Sequence, residues 1–267
     1  MTVIPVAIQG ATGRMGRRLV ALAAADPRFQ IVAAIGSPTH VDLGKDAGVL
    51  AGLKELGIPL VDSLGHARPQ VVIDVSVPAA TEAIIAVCIR RRIPLVTATT
   101  GLSEAQNKLL RDASGTIPVV WSPSMSTTVN LAMKLAEKAG QILRSTTCGV
   151  DVEIIERHHR MKTDAPSGTA LQFGEIIASV MGQTVYRHGR EGHVGQRPAN
   201  EIGYHAVRTG DNPGEHTIVF GLLGETLELS VKASSRDCYA IGTLAAAKFV
   251  TDQKPGLYSM VDVLGLD

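Results

Sequence analysis

The sequence predicts an α/β fold: a Rossmann-type, doubly wound parallel-sheet domain joined to a second α+β domain with a mixed or antiparallel sheet. Three observations carry this. Short apolar runs alternate with helical patterns through the first half, the rhythm of βαβ units. The loop Gly10-Ala11-Thr12-Gly13-Arg14-Met15-Gly16 joins the first such run to the first helix. After about Ser126 the rhythm changes, and strand-like runs follow one another at hairpin spacing.

Taken in order, Val3–Gln9 is a buried strand and Arg14–Ala25 a helix with Met15, Leu19, Leu22 and Ala23 on one side. Ile31–Ile35 is the second strand, and the Gly-, Pro- and Asp-rich stretch to about Gly65 shows no pattern. Val71–Val75 is a strand, Ala79–Arg91 a helix and Leu95–Ala98 the next strand. Ser103, with Gln106 three residues on, forms a capping box opening a helix to Ala113, and Ile117–Trp121 closes the series. Beyond it come the helix Val129–Leu143, the strand Val152–Ile155, a histidine-rich motif and a helix from Gly168 to Met181. Ile202–Arg208, Thr217–Leu222 and Thr226–Lys232 are strands, with turns at Gly210-Asp211-Asn212-Pro213-Gly214 and Gly224-Glu225. The helix Tyr239–Val250 and the tail need a partner and are expected to pack on the first domain. The expected domains are therefore residues 1–126 with 237–267, binding a dinucleotide, and 127–236, binding substrate.

Composition narrows the function. Hydrophobic residues make up 45% of the chain and charged ones 19%, which excludes a disordered protein. Aromatic residues are 3%, too few for a base-stacking surface. The net charge is +1 with no basic tail, so neither a nucleic acid nor a membrane surface is expected as partner. The one basic run, Arg90-Arg91-Arg92, ends a helix and complements its dipole. No apolar stretch approaches the roughly 20 residues of a membrane span, and the N-terminal run lacks a preceding basic region and breaks at Pro5. Cys88, Cys148 and Cys238 are odd in number and widely spaced, which fits a reducing, cytoplasmic setting.

The glycine loop has the spacing G-x-x-G-x-x-G. Gly10 permits a tight turn, Gly13 lets backbone approach a pyrophosphate and Gly16 allows close helix–strand contact. Its place at the first strand–helix junction makes Gly10, Thr12, Gly13, Arg14, Met15 and Gly16 candidate cofactor-binding residues. Many dinucleotide folds carry an acid at the end of the second strand. Here Gly36-Ser37-Pro38-Thr39-His40 follows, without one, which admits NADPH beside NADH.

The motif Glu156-Arg157-His158-His159-Arg160-Met161-Lys162-Thr163-Asp164-Ala165-Pro166-Ser167-Gly168-Thr169-Ala170 concentrates groups that handle protons and anions. Ser167-Gly168-Thr169 opens a helix, whose free N–H groups suit a carboxylate. His158 and Lys162 add positive charge and proton donors, a combination suited to a dicarboxylate that accepts a proton after hydride transfer. Three other readings stand beside it. A zinc site of His158 or His159 with His188 or His193 lacks any familiar ligand spacing, so no metal is expected. Ser167 lacks a nucleophile elbow, and a polar loop that merely caps a helix has little use for two histidines and a lysine.

On these residues the chain resembles the 4-hydroxy-tetrahydrodipicolinate reductase (dihydrodipicolinate reductase) family. The similarity runs nearly end to end, through the glycine loop, Thr99-Thr100-Gly101, Glu156 to Ala170, Arg190-Glu191-Gly192-His193, Gly210-Asp211, Gly214-Glu215-His216 and Lys232-Ala233-Ser234-Ser235-Arg236. It implies hydride transfer from NADPH or NADH with loss of water, in the diaminopimelate route to lysine. It further implies that His158 and Lys162 are the catalytic proton-handling groups. His159, Ser167, Gly168 and Thr169 are the substrate-binding residues that it implies, with Thr100 meeting both substrate and nicotinamide. Gly36, Ser37, Ala98, Ser124 and Met125 join the cofactor-binding set by the same resemblance. A homotetramer assembled through the second domain's sheet is also implied. Ser124-Met125 stands where the family usually has Asn-Phe, Thr128 where it has Gly, and Val231 where a histidine is common. Two other functions remain open: another two-domain NAD(P)-dependent amino- or oxo-acid dehydrogenase, and a non-catalytic ligand-binding homologue.

Overall fold

The computed structural model describes residues 2–147 and 149–266; Met1, Cys148 and Asp267 lie outside them. The chain divides into two compact units, one running to Thr127 and resuming at Arg236, the other spanning Thr128–Ser235.

The first unit is built on a parallel sheet of β1 (Ile4–Gln9), β2 (Phe29–Ile35), β3 (Leu60–Val61), β4 (Val71–Asp74), β5 (Leu95–Thr97), β6 (Pro118–Trp121) and β12 (Gly256–Tyr258). Their spatial order is β12-β6-β5-β4-β1-β2-β3, and every neighbouring pair is parallel. Helices cover both faces: α1 (Arg14–Ala25), α7 (Asp237–Val250) and the short α2 (Ala47–Leu50) and α8 (Met260–Leu264) on one, α3 (Pro78–Arg91) and α4 (Glu104–Ser114) on the other. The period-two pleat sorts side chains between them. Val6 and Ile8 pack with Leu19, Leu244 and Val250, while Ala7 packs with Ile84, Ile85 and Leu110. A sheet buried on both faces explains why β4 reads as continuously apolar from Val71 to Ile73. The chain leaves β1 in one direction and resumes at β4 in the other. The ends of β1 and β4 therefore form the crevice where doubly wound sheets bind ligands.

The expected capping box at Ser103 and Gln106 is present. Arg90 and Arg91 occupy the last turn of α3, and Arg92 caps it in the left-handed conformation. In the stretch after Gly36, α2 and β3 form around Asp46. Its carboxylate caps α2 and also accepts bonds from the Leu56 and Ile58 amides, 3.0 and 2.9 Å. These partners lie ten and twelve residues from Asp46 in sequence and leave no periodicity to read.

The second unit carries a mixed sheet in the order β11-β10-β7-β9-β8, from β7 (Asp151–His158), β8 (Val185–His188), β9 (Glu201–Arg208), β10 (Gly214–Leu222) and β11 (Glu225–Ala233). β10 is antiparallel to β7 and β11, whereas β9 runs parallel to β7 and β8. Helices α5 (Thr127–Leu143) and α6 (Gly168–Met181) pack on one face. Phe173 and Phe220 are fully buried there, each worth roughly 1.5–3 kcal/mol in apolar burial. Gly174 is required by close approach: a Cβ on it would lie 1.7 Å from the Tyr204 hydroxyl. The strand expected to end at Ile155 in fact continues to His158. Polar residues break its apolar alternation, yet Arg157 pairs with Glu215 of β10 and His158 stands opposite Arg208 of β9.

Candidate active site

At the end of β1, Gly10 turns the chain with φ +82°, a conformation a side chain would strain. Its amide and that of Ala11 bond the Ile35 carbonyl, which ties the loop to β2. Gly16 is buried against the same turn, and a Cβ there would meet the Gly10 carbonyl oxygen at 2.0 Å. Gly13 caps α1 without a side-chain bond and no acid stands in the first turn, so the helix start is open to an anion. Thr12 gives its carbonyl to the Arg17 side chain, while Arg14 is exposed and Met15 half-buried in the first turn of α1. A turn with no room for a Cβ at Gly10 or Gly16, beside an uncapped helix start at the switch point, fits a nicotinamide dinucleotide.

The other first-unit candidates cluster less tightly. Gly36 is buried against Leu60 beyond β2, with Ser37 exposed beside it. Ala98 donates to the Asp74 carbonyl, and Thr100 lies exposed after β5. Ser124 is buried, its carbonyl accepting from the Ser122 hydroxyl. Met125 turns its side chain into the apolar core, and its carbonyl packs closely against Gly242 of α7.

In the second unit, β7 turns alternate residues to one face, so Glu156 and His158 point inward together. The Glu156 carboxylate, 1% exposed, accepts from His158 Nδ1 at 2.6 Å, from both terminal nitrogens of Arg208 at 2.7 Å, and from the Ser167 amide at 3.0 Å. Burial alone would raise its pKa, but the bonds from His158 and Arg208 outweigh it and hold the group at about 2. An ionised carboxylate only accepts, so His158 carries its proton on Nδ1 and presents Nε2 for chemistry.

Ser167 caps α6, its hydroxyl accepting from the Ala170 amide at 3.2 Å and meeting His216 Nε2 at 3.0 Å. Burial, then the neighbouring His158, pushes His216 down to about 4 and keeps it neutral. The Ser167 hydroxyl is thus held between the Ala170 amide and the neutral His216 ring, and the cap is fixed from both sides. The next residues, Gly168 and Thr169, carry helix-start amides that have no intrahelical acceptor. Between strand and helix the loop holds half-buried Lys162, whose Nζ lies 2.9 Å from Asp164 Oδ1. His159 follows its neighbour on the opposite side of the chain, its amide bonded to the Asn212 carbonyl. His158, Lys162, Ser167, Gly168 and Thr169 thus share one strand–loop–helix segment.

Among the described residues no group of three or more His, Cys, Asp or Glu is placed to hold a metal. His188 instead stacks on Tyr204 with ring centroids 5.3 Å apart, and His193 is exposed. Arg190 is likewise structural, bridging Glu153 and the buried Glu201 at 2.6 and 2.5 Å. Sequence reasoning assigned no role to Glu156, Arg208 or His216. The i, i+2 spacing of Glu156 and His158 on an extended chain was the available signal for the first. Arg208 reaches the cluster only because β9 lies beside β7.

The family model for the dihydrodipicolinate reductase N-terminus matches residues 4–125, and that for its C-terminus residues 128–264. The 4-hydroxy-tetrahydrodipicolinate reductase of Rhodopirellula baltica is 56% identical, covering 98% of this chain and 96% of the relative. That of Alkalilimnicola ehrlichii is 44% identical, with 98% of each chain covered. Among solved structures, the dipicolinate-bound dihydrodipicolinate reductase of Paenisporosarcina sp. TG-14 shares the fold with TM-score 0.77 at 24% identity, over 98% of this chain and 99% of that one. With both halves matched over nearly the whole length, the chain belongs to the dihydrodipicolinate reductase family.

Proposed function

We propose that the protein reduces 4-hydroxy-tetrahydrodipicolinate to tetrahydrodipicolinate, with loss of water, in the diaminopimelate route to lysine. The observation that carries this reading is the buried Glu156 carboxylate, which holds His158 and the start of α6 in one cluster beside Lys162. When bound, NADPH or NADH supplies the hydride. The first unit would hold it through Gly10, Thr12, Gly13, Arg14, Met15 and Gly16, with Gly36, Ser37, Ala98, Thr100, Ser124 and Met125 completing the contacts. The second unit serves as substrate and oligomerisation domain, and the assembly is a homotetramer in the cytoplasm.

The protein's own residues handle the proton and the anionic groups. The amides of Gly168 and Thr169, at the positive end of α6, take a substrate carboxylate. Ser167 shapes that helix start, while His159 and Thr100 contact substrate. His158 exchanges a proton through Nε2, its ring held by Glu156, and Lys162 donates a proton from Nζ. Fixing the ring before reaction removes a reorganisation cost from the transition state.

The test is a nicotinamide-absorbance assay on substrate generated from pyruvate and aspartate semialdehyde, with NADPH and NADH side by side. Rapid oxidation is expected, and the ratio of the two rates reports the effect of Gly36-Ser37. In the same assay His158→Ala and Lys162→Ala are expected to lower kcat by about 10²–10⁴. Thr169→Ala should chiefly raise KM. Near-full turnover in a folded Lys162→Ala protein removes Lys162 from the mechanism. Nucleotide binding without oxidation would retain the fold and reject the substrate.

A further inference from the structure

Asp74, the last residue of β4, is fully buried and has no place in the chemistry above. Among the described residues no cation pairs with it. Its Oδ1 accepts from the Ser76 hydroxyl at 2.5 Å and the Ser76 amide at 3.2 Å. Its Oδ2 accepts from the hydroxyls of Thr81 (2.5 Å), Thr97 (3.1 Å) and Thr99 (2.9 Å). Thr99 Oγ1 also accepts from the Ser76 amide at 3.1 Å, which closes the network. A carboxylate without a counter-ion is an expensive core residue, and four hydroxyls gathered around it are what makes it tolerable.

The location gives the network its meaning. Ser76 belongs to the loop leaving β4, and this loop abuts the glycine turn: a Cβ on Gly10 would lie 2.9 Å from Ser76 Cα. Thr99 belongs to the loop leaving β5, next to exposed Thr100, and the Ala98 amide bonds the Asp74 carbonyl at 3.0 Å. One carboxylate thus ties both loops on the β4–β5 side of the switch point. The glycine turn has anchors of its own besides, the Gly10 and Ala11 amides bonding the Ile35 carbonyl.

We propose that Asp74 is a positioning residue for the nicotinamide end of the cofactor crevice, its carboxylate locking loops 75–77 and 98–101 into the shape that receives the ring. The role rests on the dinucleotide reading of the first unit. It acts through Ser76 and Thr99 and touches neither ring nor substrate. Because the phosphate end is anchored separately, the two ends of the nucleotide should respond differently when Asp74 is changed.

Binding of NADPH and of the fragment 2′,5′-ADP, with NADH and ADP in parallel, would be measured by fluorescence and calorimetry on the full-length protein. The variants are Asp74→Asn and Thr99→Val. Asp74→Asn is expected to weaken the whole nucleotide about tenfold while the fragment stays within about twofold. Thr99→Val removes one donor of the network and should give about a threefold loss on the same side. It also carries the test if Asp74→Asn does not fold. Equal losses for nucleotide and fragment would mean general loosening, and unchanged binding of both would mean no role; either overturns the proposal. Wild-type protein that bound no nucleotide or fragment would overturn the dinucleotide reading itself, and this role with it.

Discussion

Replacing Glu156 by glutamine keeps shape and volume but removes the charge on which the second unit's cluster is organised. In the native protein both carboxylate oxygens are doubly occupied: one by His158 and Arg208, the other by Arg208 and the Ser167 amide. An amide has one oxygen, so either of its orientations turns an NH₂ toward one arm of the arginine fork. If the oxygen stays with Ser167, the NH₂ faces His158 Nδ1, and the imidazole must move its proton to Nε2 to accept. That is the wrong tautomer for a ring that must take a proton at Nε2. The half-buried Arg208 guanidinium is left without its anion, a change whose cost reaches about 3–5 kcal/mol where such a pair is fully buried. We expect a stability loss of about 3 kcal/mol in urea unfolding, and a fall in kcat of about 10²–10³ in the absorbance assay. Substrate KM should move far less, because the Gly168 and Thr169 amides remain. A folded Glu156→Gln protein with native turnover, or a stability loss below about 1 kcal/mol, would refute the argument that this carboxylate sets the ring.

The pH dependence of stability should fall in two windows. His216 is held at about 4, below its ordinary 6.5, so the unfolded chain binds its proton first and stability declines as pH falls from 6.5 towards 4. At about 1.4 kcal/mol per pH unit the decline is on the order of 3 kcal/mol, and urea midpoints for His216→Gln should lack it. Glu153 and Glu156 are both held at about 2, from an ordinary 4.5. Burial opposes this in each; for Glu153 the bonds from Arg190, His205 and Arg197 prevail. Their contribution is complete above pH 4.5 and lost as pH falls towards 2, so a midpoint that stayed flat across that range would contradict the two networks. Gly16→Ala should cost about 2–4 kcal/mol and weaken NADPH binding at least about tenfold, because its Cβ would meet backbone that cannot yield. A native melting temperature for that variant would show the turn to be looser than its packing implies.

Much of the fold was legible because local physics and burial agree. The helix limits Arg14–Ala25 and Gly168–Met181 follow from apolar periodicity and from glycine or serine at the start, and the structure reproduces both. The parallel strands were visible as apolar runs because both faces of their sheet are covered. β8, β12 and α8 escaped notice. β8 and β12 are short edge strands whose partners lie outside their own sequence window, and α8 is a single turn held by Ser259 and Asp262.

The sequence by itself determined the fold class, the glycine turn and the residues of the segment from Glu156 to Thr169, since each depends on neighbours within about fifteen positions. Tertiary structure alone decided that Arg208 and His216 complete the Glu156 cluster, and that Thr97 and Thr99 surround Asp74. These partners lie 52, 49, 23 and 25 residues apart in the bonds they make. Register between strands brings them together, and register is set by which faces the whole sheet can bury, a property no single segment carries.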